Sequence, residues 1–317
     1  MHPRPHIGSI LLALLALGAC APHLPRERPL EAPAAVARDW QAIFAAPRPV
    51  EVVSLVTGEI RVDRSLLLDV ASPRLADHDD RKVWVPVLAH VIRHREHGAV
   101  LVDTGFDASF AESGHGNIGG LARFLTIARQ PPGHDVAALL RRAGVDPASL
   151  RMIIISHLHI DHTAGLPDLP KEVPLHAGPY ATRHYEHMWY APTDHFRGFA
   201  EVHTFDFTGL PADGPGPAID LFGDGSLFVV STPGHAEGNL SFVVNGTGGP
   251  VLLTCDASHT QEGFRRRVGP GKVIDRAAAD ATIERLAGFA AAHPRLRVKA
   301  GHDAEDWDLA RPVQDPL

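Results

Sequence analysis

No long basic run, no apolar stretch of membrane-spanning length and no internal repeat of about 20 to 50 residues occurs in this 317-residue chain, and it contains only two cysteines. Each absence removes a class of protein. With a formal net charge of −7 and no clustered Lys and Arg, the chain does not present the basic stripe that nucleic-acid backbones require. The densest basic cluster, Arg265-Arg266-Arg267, is too short to track such a backbone and reads as a solvated turn or helix face. The apolar run at 10–17 falls well short of the roughly 20 residues that cross a bilayer, so a retained transmembrane helix is disfavoured. At 44% hydrophobic content the chain can bury a sizeable core, as one large domain or two small ones.

What the N-terminus does have is a secretory layout: Arg4, then the apolar run, then Gly18-Ala19-Cys20. Leu17-Gly18-Ala19-Cys20 resembles the lipobox of bacterial lipoproteins, which implies cleavage before Cys20 and lipidation of its thiol. The alternative is a plain secretory peptide cut near the same place. Either way the mature protein is expected outside the cytoplasm, in the periplasm, touching membrane only through that anchor. A lipidated Cys20 leaves Cys255 alone, so no intramolecular disulfide is available and stability must come from packing and metal. Residues 21–49, rich in Pro, Ala and Arg, are expected to be an extended tether, with a short docking helix at 40–45. The folded domain is placed at 50–317.

Within the domain, 52–56 and 60–62 flank Thr57-Gly58-Glu59, and 83–92 and 99–102 flank a charged turn at His97-Gly98; both read as antiparallel strand pairs. Short apolar strands follow at 152–155, 227–230, 240–244, 251–253 and 296–298. Helical periodicity falls at 136–143, about 180–189, and 277–292. Strands in two halves, each followed by helices, imply packed sheets covered outside by helices. The glycine-rich loop at 106–133 is long enough to lie over a site, or its apolar members Phe110, Ile118, Leu121, Phe124 and Leu125 could form a satellite core. Together with the segment near 180–200, it is expected to wall the pocket. Tyr185, Met188, Trp189, Tyr190 and Phe196 are wall residues or ordinary helix core.

Histidine is abundant, at 21 residues, and it is the commonest metal ligand. Most of these, among them His94, His97 and His195, sit in no ligand spacing and read as structural or solvated. Ser156-His157-Leu158-His159-Ile160-Asp161-His162 is different, because it directly follows an apolar strand. A loop at the end of a buried strand can send alternate side chains into one cavity. His157 and His159 can then face one metal while Asp161 and His162 face another. Three later segments also end an apolar strand in a donor: Thr232-Pro233-Gly234-His235, Thr254-Cys255-Asp256 and Ala300-Gly301-His302.

H-x-H-x-D-H followed by separated His, Asp and His is similar to the metal-binding pattern of the metallo-β-lactamase superfamily, and it runs in the right order over roughly residues 83–303. That resemblance implies an α+β fold, the four-layer αβ/βα sandwich, with the metals at one edge. It also implies one metal on His157, His159 and His235, a second on Asp161, His162 and His302, and Asp256 bridging both. Ile154 to Gly165, Val251 to Ser258, Gly301-His302-Asp303 and the early turn Leu101-Val102-Asp103-Thr104-Gly105 resemble the N-acyl homoserine lactonases in particular. By that likeness Asp103 supports a ligand from behind. The lactonases carry a tyrosine three residues after the bridging aspartate, where its hydroxyl meets the lactone carbonyl. This chain has His259 there, which can donate the same hydrogen bond if suitably protonated, can mark a different substrate, or can be a bystander on the rim.

The chemistry implied is hydrolysis of a lactone or ester. Two divalent ions about 3.5 to 4 Å apart share a water, lower its pKa towards neutrality and supply a bridging hydroxide as nucleophile. Asp161 is then placed to shuttle the proton to the leaving oxygen, and Cys255 is a buried small residue beside the bridge. Zinc is the expected metal, although iron, cobalt, nickel and manganese accept the same donors. The rival readings are a β-lactamase, a phosphodiesterase or thioesterase of the same fold, and a surface lipoprotein that keeps its metal for structure alone. Asp256 argues against a β-lactamase, and the intact donor set argues against a purely structural role.

Overall fold

The computed structural model describes residues 24–31, 34, 37–182 and 194–317. In chain order the first half comprises β1 (Arg26–Pro29), α1 (Trp40–Ala45), β2 (Val50–Asp63), α2 (Arg64–Leu67), β3 (Lys82–His94), β4 (Gly98–Val102), β5 (Ala128–Arg129), α3 (Val136–Arg142), β6 (Leu150–Ile155), α4 (Ile160–Thr163), β7 (Leu175–Ala177) and β8 (Glu201–Thr204). The second half comprises β9 (Ala218–Asp220), β10 (Leu227–Ser231), β11 (Leu240–Gly246), β12 (Gly249–Leu253), α5 (Gln261–Arg266), α6 (Arg276–Ala292) and β13 (Arg297–Lys299). Among the described residues these form an eight-stranded sheet, β1-β8-β7-β6-β4-β3-β2-β5, and a five-stranded sheet, β13-β12-β11-β10-β9.

Strand alternation decides how the sheets stack. Along β4 and β6, Leu101, Ile153 and Ile155 face α3 together with Leu166, Leu169, Phe196 and Phe199, while Val100, Val102 and Ile154 face the second sheet. Both faces are therefore apolar, and these strands read as continuous hydrophobic runs rather than as half-polar ones. The opposite side of the second sheet, through Phe228, Val230, Val243 and Leu252, packs on Ile283, Leu286 and Phe289 of α6. Helix, sheet, sheet, helix is the αβ/βα sandwich expected. Each isoleucine of β6 that is fully withdrawn from water contributes roughly 1.5–3 kcal/mol.

Three expectations need correction. Residues 50–63 are one strand rather than a hairpin, paired along β3 with a bulge between Val56 and Gly58. Gly58 marks a close approach, not a turn: a Cβ there would stand 2.8 Å from both the Arg129 carbonyl oxygen and the Phe106 ring. The extended tether expected over 21–49 does not hold at 26–29 or at 40–45. β1 pairs in parallel with β8, and the helix expected at 40–45 forms as α1, with the Trp40 ring 4.8 Å from Phe228 and 5.1 Å from Phe289. Polar and proline-rich composition hid an edge strand that joins β8 through its backbone, with Arg28 pairing to Glu201 at 3.2 Å. Within the loop at 106–133, Phe110, Ile118 and Ala122 pack with Phe106, Val87 and Ala164 as a satellite core, while Leu121, Phe124 and Leu125 are exposed. Most of the helix expected near 180–189, and Cys20, lie outside the described residues.

Arg265, Arg266 and Arg267 close α5 on the surface and pair with Glu305, Glu262 and Glu284. That is the solvated helix face expected of them.

Candidate metal centre

β4 and β6 run parallel and adjacent, and both end at the same edge of the first sheet. The residue after β4, Asp103, sits at φ 57°, a region Asp tolerates better than bulkier residues. Its carboxylate accepts from the Ser156 backbone N–H (2.7 Å) and the Ser156 hydroxyl (2.8 Å), and it takes the Nδ1–H of His162 at 2.9 Å. Thr104 donates to the His162 carbonyl through both its backbone N–H (2.9 Å) and its hydroxyl (2.8 Å). The loop carrying His157, His159, Asp161 and His162 is thus clamped at both ends, with α4 a single turn inside it.

The second sheet supplies the rest. His235 follows β10 in a turn closed by Thr232 N–H to the Asn239 carbonyl, 3.0 Å. Asp256 sits in a one-turn 3₁₀ segment after β12, reached through Cys255 at φ 44°. His302 follows β13, which runs parallel to β12.

These side chains converge in two groups. His157 Nε2 and His235 Nε2 lie 2.7 and 2.9 Å from His159 Nδ1, and 3.5 and 3.3 Å from Asp256 Oδ2. On the other side, His162 Nε2 and His302 Nε2 lie 3.8 and 3.5 Å from Asp161 Oδ2, and 3.4 and 3.1 Å from Asp256 Oδ1. Asp256 therefore turns one oxygen towards each group. Zinc–nitrogen and zinc–oxygen bonds of about 2.0–2.1 Å in a tetrahedron set donors roughly 3.3 Å apart, and the separations here, from 2.7 to 3.8 Å, bracket that value. His162 Nε2 is buried without a hydrogen bond, a state that costs about 1–3 kcal/mol unless something binds there. The residues fit a pair of divalent cations.

The ligand nitrogens are aimed from behind. His162 donates its Nδ1–H to Asp103, and His302 donates its own to the Pro86 carbonyl at 2.8 Å, fixing tautomers that leave each Nε2 facing inward. Burial alone would raise the Asp256 carboxyl, but His259, His162, His302 and His157 around it hold it well below the usual carboxylate range. Burial pulls His157 well down, helped by His162 and His159. Burial likewise opposes the charged forms of His162 and His302, but the carboxylates beside them win; His162 is raised well above its ordinary value and His302 to about 9. Without cations, the cage is thus held by carboxylate–imidazolium pairs, with protons on nitrogens that a metal would claim. Burial, with Asp103 and Asp256 nearby, pushes the Cys255 thiol well up, which removes it as a nucleophile.

Above Asp256 opens a cavity of about 610 Å³. Its apolar wall comes from Ile60 and Val62 of β2, Leu66 and Leu67 of α2, and Ile274, with Lys272 and Glu237 among the polar lining. This differs from the wall expected of 106–133, and most of the segment expected near 180–200 lies outside the described residues. No residue of the former lines it, Phe196 is buried in the core against the first sheet, and Tyr185, Met188, Trp189 and Tyr190 lie outside the described residues. α2 carries too few residues to show helical periodicity, so nothing in the sequence pointed to it. His195, read as structural, is buried; it contacts the Thr163 hydroxyl and Asn117 at 2.9 Å each, bracing α4. His259 is buried at the cavity floor, its Nδ1 2.9 Å from the Leu67 carbonyl and its Nε2 3.0 Å from Asp256 Oδ2.

A sandwich of this topology, with imidazole and carboxylate donors gathered at the strand ends, is that of a metal-dependent hydrolase. The chain belongs to the metallo-β-lactamase superfamily, whose family model, described as "Metallo-beta-lactamase superfamily", matches residues 83–302. It is 29% identical to the N-acyl homoserine lactonase AttM of Azorhizobium caulinodans, over 70% of this chain and 84% of that protein. It is 27% identical to the N-acyl homoserine lactonase AiiA of Bacillus thuringiensis subsp. kurstaki, over 77% of this chain and 92% of that one. Its fold is similar to a solved N-acyl homoserine lactone hydrolase with the product N-hexanoyl-L-homoserine bound, at a TM-score of 0.64 and 23% identity, covering 82% of this chain and 95% of that one.

Proposed function

We propose that this protein is an exported two-metal lactonase that opens N-acyl homoserine lactones or closely related esters. The observation that carries the reading is Asp256, which presents one oxygen to each of two donor groups at the floor of a half-apolar cavity. Relatives named as N-acyl homoserine lactonases support the substrate class.

Divalent ions bound there, zinc being the expected one, supply a water made acidic near neutral pH and a positive charge that polarises a carbonyl oxygen. Everything else falls to the chain itself. His157, His159, His235, Asp161, His162, His302 and Asp256 hold the ions, and Asp103 keeps the His162 tautomer. Asp161 lines the cavity while reaching towards His302, which places its carboxylate to hand a proton to the leaving oxygen. Ile60, Val62, Leu66 and Ile274 accept an acyl chain and exclude water from it, and about 610 Å³ is within the usual range for a small-molecule site. Export and a lipid anchor at Cys20 complete the proposal and rest on the residues at 1–20; Cys20→Ser should release the protein from membranes if the anchor is real.

Metal analysis combined with a panel of acyl homoserine lactones, simple esters, a chromogenic cephalosporin and a phosphodiester tests the activity. Two ions per chain with turnover of lactones and none of the cephalosporin is expected. Turnover confined to the phosphodiester or the cephalosporin, or full turnover by Asp256→Ala, would overturn the proposal.

A further inference from the structure

We propose that His259 is itself a ligand of this metal centre, joining His302 and Asp256 on one ion, and does not act as a hydrogen-bond donor to the substrate carbonyl. The inference rests on the metal reading above but not on the lactone.

The hydrogen bond behind the ring is the first argument. His259 Nδ1 lies 2.9 Å from the carbonyl oxygen of Leu67, which ends the single turn of α2. A carbonyl oxygen only accepts, so Nδ1 carries a proton, and Nε2 is the one nitrogen left for the cavity floor. His302 is built the same way, with Nδ1–H on the Pro86 carbonyl at 2.8 Å and Nε2 on Asp256. An imidazole that gives its far N–H to a backbone carbonyl and turns the other nitrogen inward is the usual posture of a metal-bound histidine.

Position is the second argument. His259 Nε2 is 3.0 Å from Asp256 Oδ2 and His302 Nε2 is 3.1 Å from Asp256 Oδ1, and the three donors lie within 4.8 Å of one another. The two rings stack at 5.5 Å and 30°. Their backbones are tied in register, with Gly301 N–H on the Ser258 carbonyl at 3.0 Å and His302 N–H on the His259 carbonyl at 2.9 Å. His259 is therefore placed as rigidly as His302.

Chemistry is the third. Nδ1 faces a carbonyl oxygen that can only accept, so its N–H is committed there and the Nε2 lone pair is what the ring turns towards Asp256. An ion held among Asp256, His302 and His259 would take up that lone pair. A ring whose Nε2 lone pair is committed to an ion, and whose Nδ1–H is committed to Leu67, has nothing to offer a substrate carbonyl. The tyrosine of the lactonases and the histidine of this chain then occupy one position with opposite hydrogen-bonding roles. The extra donor trades electrophilic strength for firmer metal retention.

The test uses the full-length protein loaded with cobalt(II), read by chelator competition and by proton NMR of exchangeable, hyperfine-shifted imidazole N–H signals. His259→Phe is expected to lose one such signal and to release one of its two ions about 10- to 100-fold more readily, the other ion being held as before. His259→Tyr is expected to show the same loosening while regaining a donor towards the carbonyl. If both variants keep every shifted signal and the wild-type affinity for both ions, His259 is not a ligand. Where the variants fail to load, the ring-¹⁵N histidine spectrum of the zinc-loaded wild type decides: His259 metal-shifted alongside His157, His159, His162, His235 and His302 supports the proposal, and His259 unshifted ends it. A wild type that binds two ions but cleaves no lactone overturns the substrate assignment and leaves this inference standing. A wild type that binds none overturns both.

Discussion

Asp103→Asn separates charge from shape at the point where the ligand loop is held. Asn suits the left-handed backbone at φ 57° as well as Asp does, so the turn itself should survive. The three hydrogen bonds should not. Asp103 Oδ1 accepts from the Ser156 N–H, and Oδ2 accepts from the Ser156 hydroxyl and from His162 Nδ1. Whichever way the amide turns, its NH₂ meets a donor, either the Ser156 N–H or the His162 Nδ1–H. An unpaired buried donor costs about 1–3 kcal/mol, and losing the carboxylate's charge-assisted bond to His162 adds about as much. The cheaper escape is for His162 to give up its Nδ1 proton and keep one on Nε2, so that Nδ1 accepts from the amide. That puts a hydrogen where an ion should sit. The expected result is a metal-free protein destabilised by a few kcal/mol, with about 10- to 100-fold weaker affinity for one ion and near-normal affinity for the other. Urea unfolding of the stripped protein and chelator competition on the loaded one measure the two effects separately. Wild-type affinity for both ions in a protein that is merely less stable would refute the tautomer argument and leave Asp103 a backbone pin.

Gly165→Ala drives a Cβ into the Thr104 carbonyl oxygen and the Val136 side chain, where backbone rather than a flexible side chain must yield. The cost should reach the upper end of about 1–3 kcal/mol and, because Thr104 grips the His162 carbonyl, metal affinity should fall with it; a urea midpoint within error of wild type would refute this. In the metal-free protein His302 is raised to about 9, so its contribution is fully present below the unfolded value of 6.5 and is lost as pH climbs towards 9. Roughly 3 kcal/mol should disappear over that window, lowering the midpoint of thermal unfolding by about 5–10 °C, while the loaded protein, with an ion in place of the proton, stays flat. A stripped protein whose melting temperature is level from pH 6.5 to 9 would show that the proton on His302 is not part of the cage.

The donors were legible in the sequence because each is tied to a local pattern. His157, His159, Asp161 and His162 crowd one loop, and His235, Asp256 and His302 each end an apolar strand. What the sequence concealed were features set by distant partners. Gly58 looks like a turn until Phe106 and Arg129 are seen pressing on it. β1 carries no apolar alternation, since it joins the sheet edge through backbone hydrogen bonds to β8. The cavity wall at Leu66, Leu67 and Ile274 comes from short segments with no periodicity to read, and the tautomer of His259 is set by a carbonyl 192 residues away in the chain.

Neither donor group belongs to one sheet. His157 and His159 stand on the first sheet and meet His235 from the second; Asp161 and His162 stand on the first and meet His302 from the second, with Asp256 between them. Two inward-facing rings of the second sheet are steered by carbonyls attached to the first, His302 by Pro86 and His259 by Leu67, while Leu240 N–H reaches back to the Ser156 carbonyl at 2.9 Å. The spacing of the two groups is therefore fixed by how the sheets dock, through the core of Val100, Val102 and Ile154 against Val229, Phe242 and Leu253. A cation held by either group would draw donors from both sheets and bind only the docked form, so its binding free energy would add to the stability of the interface between them. Such coupling would let a chain with Cys255 as its one described cysteine hold a cluster of buried charges at a domain edge: the apolar interface positions the donors, and a bound metal would in turn lock the interface.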